Sequence, residues 1–439
     1  MTSSDAAERR KGGLLSRLLL PDPAARVLSV WAFLTTLGTG MFAAGGVVYF
    51  VEGVGLSSHE VALGLTISGL LALGVGIPVG HLADRVGPRT LCIVTLLLRS
   101  AGTLVFLIVQ SFPTFLAAAV LVACADVGGG AAGGAMIAGY GGTDRVRLRA
   151  YLHSVTNLGV AGGALLSGVF IAADTESSYR MMILGVAVSP VAAALALLRT
   201  PRLAPVPTPE GAGRWDSLRD RRYVVVTALH ALLSLHFEVL TFAVPLWLIA
   251  SDVAPTWLVS ALLVINTAMV VLFQVPASRG VTSVRTAALV GRRSGGVLLL
   301  ACAVIGAAGN LSAPFAIGCF LLGTVLLTLG ELFQSASSFG LSFDLAPDHA
   351  QGQYQGVFAL GRGTAKAIAP ALLAVPCVQW GLAGWIAVGG GLALTGLLLP
   401  LATRSAAAAP EREEETAAHR TGPETAGPGP SGAEPVKEG

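Results

Sequence analysis

Gly80-His81-Leu82-Ala83-Asp84-Arg85-Val86-Gly87-Pro88-Arg89 is a short polar interruption between two long apolar runs, at about 61–80 and 90–109. About 20 apolar residues rising ~1.5 Å each cross the ~30 Å hydrocarbon core of a bilayer. Each run is therefore long enough to span, and the interruption reads as a tight hairpin loop at a membrane surface. It carries one acid and two arginines. Gly87 tolerates a positive φ and Pro88 forbids continuation of a helix, so these two residues are expected to supply the turn.

Working outward, the same alternation recurs along the chain. A composition of 54% hydrophobic and 12% charged residues, with the apolar residues in long blocks, excludes a soluble globular protein. Twelve spans are expected, at about 27–51, 61–80, 90–109, 113–138, 149–173 and 179–199, then 223–250, 256–276, 293–311, 313–340, 353–376 and 381–402. They divide the chain into an N-terminal tail (1–26), a first six-helix bundle (27–199), a polar connector (200–222), a second bundle (223–402) and a disordered tail (403–439) rich in Ala, Glu, Pro and Gly. The five cysteines, Cys92, Cys124, Cys302, Cys319 and Cys377, all fall inside apolar runs without metal-ligand spacing and read as small buried hydrophobes. No cleavable signal is expected in the basic N-terminal residues.

Charge orients the spans. Loops 81–89, 141–149, 200–222 and 279–293 hold the arginines, among them Arg145, Arg147, Arg149, Arg279, Arg285, Arg292 and Arg293. The alternate loops hold Glu52, Glu60, Asp174, Glu176 and Asp252, with Arg180 the lone arginine. Positive residues stay on the cytoplasmic side, so both termini and the connector are expected inside. The halves also repeat: Ile77-Pro78-Val79-Gly80 corresponds to Val275-Pro276-Ala277-Ser278, which sets Thr282 where Asp84 stands. Six plus six spans with a degenerate repeat describe two bundles with a site between them near the midplane.

The pattern G-x-L-A-D-R-x-G-x-R resembles the signature loop between the second and third helices of major facilitator superfamily transporters. The resemblance covers about residues 26–402. It implies an all-α integral membrane fold, twelve transmembrane helices in two pseudo-symmetric six-helix bundles. It also implies that Gly80, Asp84, Arg85, Gly87 and Arg89 form a gating loop that holds the cytoplasmic side closed. Asn157-Leu158-Gly159-Val160-Ala161-Gly162-Gly163-Ala164 resembles the fifth-helix motif of the antiporter branch, with Ala164 in place of its final proline. The segment from Gly330 to Gly356 resembles proton-driven multidrug exporters, with Gln351 and Gln353 where arginines are usual. Asp126 stands where drug exporters carry an arginine.

Ionisable residues inside spans are costly and are functional candidates by default. Arg99 and Asp126, near mid-depth on consecutive antiparallel helices, are placed to pair; so are Glu331 and Lys366. Arg362 shares a face with Lys366, one turn away. Glu238 has no cation at equal depth in its own helix, and Pro245 should bend that helix. A carboxylate that loses its hydration takes up a proton more readily, whereas one beside a fixed cation stays ionised. Glu238 is therefore the first expectation for the proton carrier and Asp126 the second. Gly130, Gly134, Gly159 and Gly163 are expected to let helices pack closely.

These readings point to a secondary active transporter in the plasma membrane, exporting a small organic molecule (a drug or natural product) against protons by alternating access. A proton-coupled importer of a sugar or metabolite is the alternative. A polytopic enzyme or sensor has no support, since there is no nucleophile motif, Walker loop or His/Asp metal cluster. The expected partners are a small-molecule substrate, protons and the lipid bilayer, with no nucleic acid, no cofactor, no metal and a monomeric state.

Overall fold

The computed structural model describes residues 23–407 apart from 204, 205, 207, 208, 210–212, 214 and 256. Most of the two expected tails and part of the connector lie outside the described residues. Among those described there is no strand, and nearly all are helical.

Eleven of the helices are long and apolar enough to cross a membrane, and a bent pair makes the twelfth crossing. The first bundle comprises Pro23–Gly53 (first span), Ser58–Leu73 with Gly76–Val86 (second, bent by 49°), Pro88–Ile108 (third), Phe112–Gly141 (fourth), Arg145–Ala173 (fifth) and Glu176–Leu197 (sixth). The second comprises Arg221–Ser251 (seventh), Leu258–Ser278 (eighth), Val284–Asn310 (ninth), Ala313–Asp344 (tenth), Asp348–Gln379 (eleventh) and Gly381–Arg404 (twelfth). The end of the molecule at which the second span finishes and the third begins is called the arginine-rich end below.

Helices are the available solution because lipid offers no partner for a backbone N–H or C=O. Their ends are written in capping residues. Ser57 and Glu60 form a reciprocal capping box at the second span, as do Thr175 with Ser178 at the sixth and Ser283 with Thr286 at the ninth. The Asp220 carboxylate accepts from the N–H groups of Arg222 and Tyr223 at the start of the seventh, both at 3.1 Å.

Four expected boundaries move. The polar stretch at 80–89 is not a loop: the helix runs through Asp84 to Val86, and Gly87 alone makes the turn, at φ 99°. The fifth span begins at Arg145 and the ninth at Val284, so Arg149, Arg285, Arg292 and Arg293 are helical rather than in loops. Long arginine side chains can leave a helix end and reach the interface, so their charge does not mark where a helix stops. The twelfth helix continues to Ala407, past the expected start of the disordered tail at Thr403. The repeat is also only approximate. The eighth span ends at Ser278, and Thr282 lies in the loop beyond, its N–H donating to Thr286 Oγ1 at 3.0 Å. Pro245 sits just after a π turn, Val239–Ala243, which takes up the irregularity expected of a proline inside a span.

Each bundle has its own apolar core. In the first, Phe50, Phe106 and Phe115 interlock at centroid separations of 4.5–6.2 Å. In the second, Trp247 and Trp385 meet beside Ile305 and Phe320. Leu165, Val169, Val264 and Phe315 point outward and are each about two-thirds exposed or more, as lipid-facing side chains should be.

The first and fifth spans cross with backbones in contact. A Cβ at Gly163 would overlap the carbonyl oxygen of Leu37, one at Gly159 would lie 2.8 Å from that of Phe33, and one at Gly40 would overlap that of Val160. Gly130 differs from its expected packing role: a Cβ there meets open space, because this face of the fourth span looks into a cavity. Gly163→Val should therefore lower the thermal midpoint of the purified protein, at a cost of about 1–3 kcal/mol from overpacking. Gly130→Ala should leave the midpoint unchanged or raise it. Thermal unfolding monitored by size exclusion separates the two, and equal losses would contradict the assignment.

Candidate functional site

The two bundles meet along a seam at the arginine-rich end. Gly76, Gly80 and Asp84 recur every four residues and so lie on one stripe of the second span. Opposite them stand Gly352 and Gly356 of the eleventh. A Cβ at Gly80 would overlap the Gly352 carbonyl, and one at Gly356 would overlap that of Gly76. With both surfaces bare of side chains, the helices come close enough for Asp84 to reach the start of the eleventh. Its Oδ1 accepts from the Gly352 N–H at 2.7 Å and its Oδ2 from the Gln353 N–H at 3.0 Å. The first N–H groups of a helix lack intrahelical acceptors and carry a partial positive charge. A carboxylate placed there makes two charge-assisted hydrogen bonds, each worth about 1.5–3 kcal/mol.

Further contacts close the same end. Arg145, opening the fifth span, pairs with Asp344 at the end of the tenth at 2.9 Å and lies 3.6 Å from Asp348. Farther along the fifth span, toward mid-depth, Ser154 Oγ donates to the Val270 carbonyl at 3.4 Å, joining the fifth and eighth spans. A Cβ at Gly134 of the fourth span would come within 2.8 Å of the Gln355 side chain. The connector is tied in as well: the Ser217 N–H donates to Gln353 Oε1 at 3.0 Å, and Tyr354 donates its hydroxyl to Asp220 at 3.2 Å. Arg89 is committed inside its own bundle, where Nε and a terminal nitrogen donate to the carbonyls of Leu197 and Leu198 at 2.9 and 2.8 Å. It caps the sixth span. Arg85 is exposed, in a small cavity shared with Asp84, His349 and Gln353.

Above the seam, toward mid-depth, lies a cavity of about 350 Å³. Trp31, Thr35 and Thr39 of the first span, Arg99 of the third, Asp126 and Gly130 of the fourth and Arg149 of the fifth line it. Arg99 Nε is 3.0 Å from Asp126 Oδ1, so these two are brought together. Arg99 also donates to the Thr35 carbonyl at 3.3 Å and to Thr39 Oγ1 at 2.9 Å. The arginine is buried and its partner half-exposed to the cavity.

Glu331 and Lys366 are not brought together. Glu331 is 5% exposed, and its Oε2 accepts from Asn266 Nδ2 of the eighth span at 2.7 Å; that amide also donates to Thr328 Oγ1 at 3.0 Å. Lys366 is exposed on the eleventh span. Rotation about the helix axis, which charge content does not reveal, turns the acid toward the eighth span. Glu238 is half-buried and accepts from Thr241 Oγ1 at 3.3 Å. Among the described residues neither acid has a cationic side chain within 4 Å.

Several residues escaped the sequence reading. Arg145, Arg149 and His153 occur every fourth residue and therefore share a face of the fifth span, a signal that was available once the helix was known to start at Arg145. Arg149 lies over the Phe339 ring of the tenth span, 5.8 Å from its centroid, and His153 meets the same ring edge-on at 5.7 Å. Asn266, the partner of Glu331, carried no charge to draw notice.

A two-bundle helical protein with a mid-depth cavity and a polar seam at one end has the architecture of a secondary transporter. The family model of the Major Facilitator Superfamily matches residues 28–370, and the chain belongs to that family. It is a membrane transporter and not an enzyme. No curated protein matches it in sequence. Solved structures with the same fold include a bacterial homologue of the iron transporter ferroportin in an outward-facing state, at TM-score 0.69 and 14% identity over 88% of this chain and 99% of that one. The human organic anion transporter MFSD10 (TETRAN) gives 0.62 and 17% over 86% and 98%, and the E. coli fucose:proton symporter FucP gives 0.64 and 12% over 86% and 98%.

The seam makes a measurable demand. Asp84→Asn keeps the shape but sets an amide donor against one of the two backbone donors. Ser342 is buried beneath the seam, where its carbonyl accepts from the Gln355 side chain at 3.1 Å. In a protein stripped of its own cysteines, Ser342→Cys should react slowly with maleimide. Adding Asp84→Asn should raise that rate at least about tenfold, the equivalent of about 1.4 kcal/mol in the opening equilibrium. An unchanged rate would mean that the carboxylate does not hold the seam.

Proposed function

We propose that this chain is a proton-coupled exporter of a small organic molecule, working as a monomer by alternating access in the plasma membrane, with both termini in the cytoplasm. The observation that carries the reading is the Asp84 clamp. It links one bundle to the other through two hydrogen bonds at one end, beside the Arg145–Asp344 ion pair and beneath a cavity at mid-depth. Such a contact can be broken and remade as the bundles rock, whereas a packed apolar interface could not. The excess of arginine at the clamped end supports a cytoplasmic location for it. Export, rather than import, is supported by the antiporter-like pattern at 157–164 and the exporter-like pattern at 330–356. One of the structures that share the fold is that of a fucose:proton symporter, which supports proton coupling in this architecture.

The proton carrier follows from the environment of the acids. Asp126 has Arg99 beside it. Glu331 was set aside in the sequence because Lys366 was its expected partner, and that premise does not hold. It is the most enclosed of the three, with a neutral amide for company. A buried carboxylate without a cation is costly to keep ionised, so Glu331 takes the role first given to Glu238.

Cells carrying the gene should be screened against a panel of drugs and metabolites, with and without an uncoupler. Accumulation of at least one compound should fall, and the uncoupler should restore it. Glu331→Gln should abolish the uncoupler-sensitive part, and Glu238→Gln should leave most of it. Loss in Glu238→Gln with retention in Glu331→Gln would return the role to Glu238. Higher accumulation in carrying cells would mean import. In intact cells a cysteine at position 147 should resist impermeant thiol reagents, and labelling there would reverse the topology.

A further inference from the structure

The central space holds more positive charge than its acids match. Arg99 is answered by Asp126. Arg149 and Arg362 are not: among the described residues neither guanidinium lies within 4 Å of a carboxylate. They come from opposite bundles, and Arg362 is near enough to act electrostatically on Arg149, His153 and His236. Each rests on an aromatic ring, Arg149 over Phe339 at 5.8 Å and Arg362 over Phe237 at 5.9 Å. Both retain exposed surface, and Arg149 lines the cavity that also holds Arg99 and Asp126.

Charge inside a membrane protein is expensive unless it is matched. Two guanidiniums near enough to sense each other repel, and the aromatic rings replace only part of the water each has lost. Nothing in the packing explains their retention; an anion between them would. A guanidinium offers paired N–H donors at the spacing of a carboxylate's oxygens. The rings of Phe237 and Phe339 beside the guanidiniums, and Trp31 and Leu96 in the adjoining cavity that Arg149 lines, supply apolar surface for the rest of a ligand.

We propose that Arg149 and Arg362 form an anion subsite spanning the two bundles, and that the transported molecule is a small organic carboxylate with an aromatic or apolar body. The assignment rests on the transporter reading above and narrows it. An anion held by one arginine from each bundle favours whichever bundle arrangement brings them together. Its differential affinity for the two arrangements is then what couples binding to the change of access.

The test uses the full chain in lipid nanodiscs and four probes: 1-naphthoate and p-aminohippurate, the neutral 1-naphthamide, and the cation 1-methyl-4-phenylpyridinium. Calorimetry should show both carboxylates binding, at least tenfold tighter than the amide and the cation. Arg149→Gln and Arg362→Gln should each weaken carboxylate binding at least tenfold, and Arg149→Lys and Arg362→Lys should recover part of it. The lysine variants keep the comparison valid if a glutamine variant fails to fold. Absence of carboxylate binding, equal binding of the amide, or unchanged binding in folded Gln variants would each overturn the subsite. Uptake of the same probes into proteoliposomes separates the two claims. Carboxylate that binds but never crosses overturns the transporter reading and leaves the subsite, while movement of the cation without carboxylate binding does the reverse.

Discussion

The Asp84 carboxylate ties the second span of one half of this protein to the eleventh span of the other. Asp84 reaches the start of the eleventh span because Gly80 and Gly352 present no side chains to each other, and its two oxygens take the first free N–H groups they meet. The geometry needs all three elements. A larger residue at 80 or 352 separates the helices. A helix that began a turn earlier would engage the N–H groups of 352 and 353 in its own ladder and leave no free donors there. An amide at 84 would turn one attraction into a donor-donor clash. Because the contact is polar and sits at the rim, separating it exposes groups that water can satisfy. A contact of this kind can open without a large loss, which suits the gating role proposed for it.

The interior is arranged on the opposite principle. Where the rim offers hydrogen bonds that can be exchanged for water, the middle of each bundle holds charge that cannot easily leave. Arg99 and Asp126 settle their charges inside the first bundle, and Glu331 sits enclosed in the second beside Asn266. Arg149 and Arg362 have no carboxylate within ion-pairing distance among the described residues. Each bundle is packed within itself, by the Phe50, Phe106 and Phe115 cluster in one half and the Trp247 and Trp385 pair in the other, which is the packing that the proposed rocking of one bundle on the other requires.

Much of this was legible in the chain. Twelve spans follow from block length alone, because a bilayer imposes one length on every crossing. The pairing of Arg99 with Asp126 followed from equal depth on neighbouring antiparallel helices. The loop at 80–89 marked the seam, although most of it is helix. What stayed hidden depended on rotation about a helix axis or on an uncharged partner. Glu331 faces Asn266 rather than Lys366, and Gly130 faces a cavity although Gly134, one turn away, faces Gln355. Arg149 was read as one more loop arginine because its helix was begun four residues late. That small error in a boundary hid the most informative cation in the central space.

The central claim is that the bundles rock about this cavity, closing one end as the other opens. Spin labels at Arg85 and His349 would report the arginine-rich end, and labels at His59 and Trp257 the opposite end. In lipid nanodiscs, double electron–electron resonance should find two populations for each pair. A change of pH or ligand should lengthen one distance as it shortens the other. A single unchanging distance at the arginine-rich end, under every condition tried, would contradict the account.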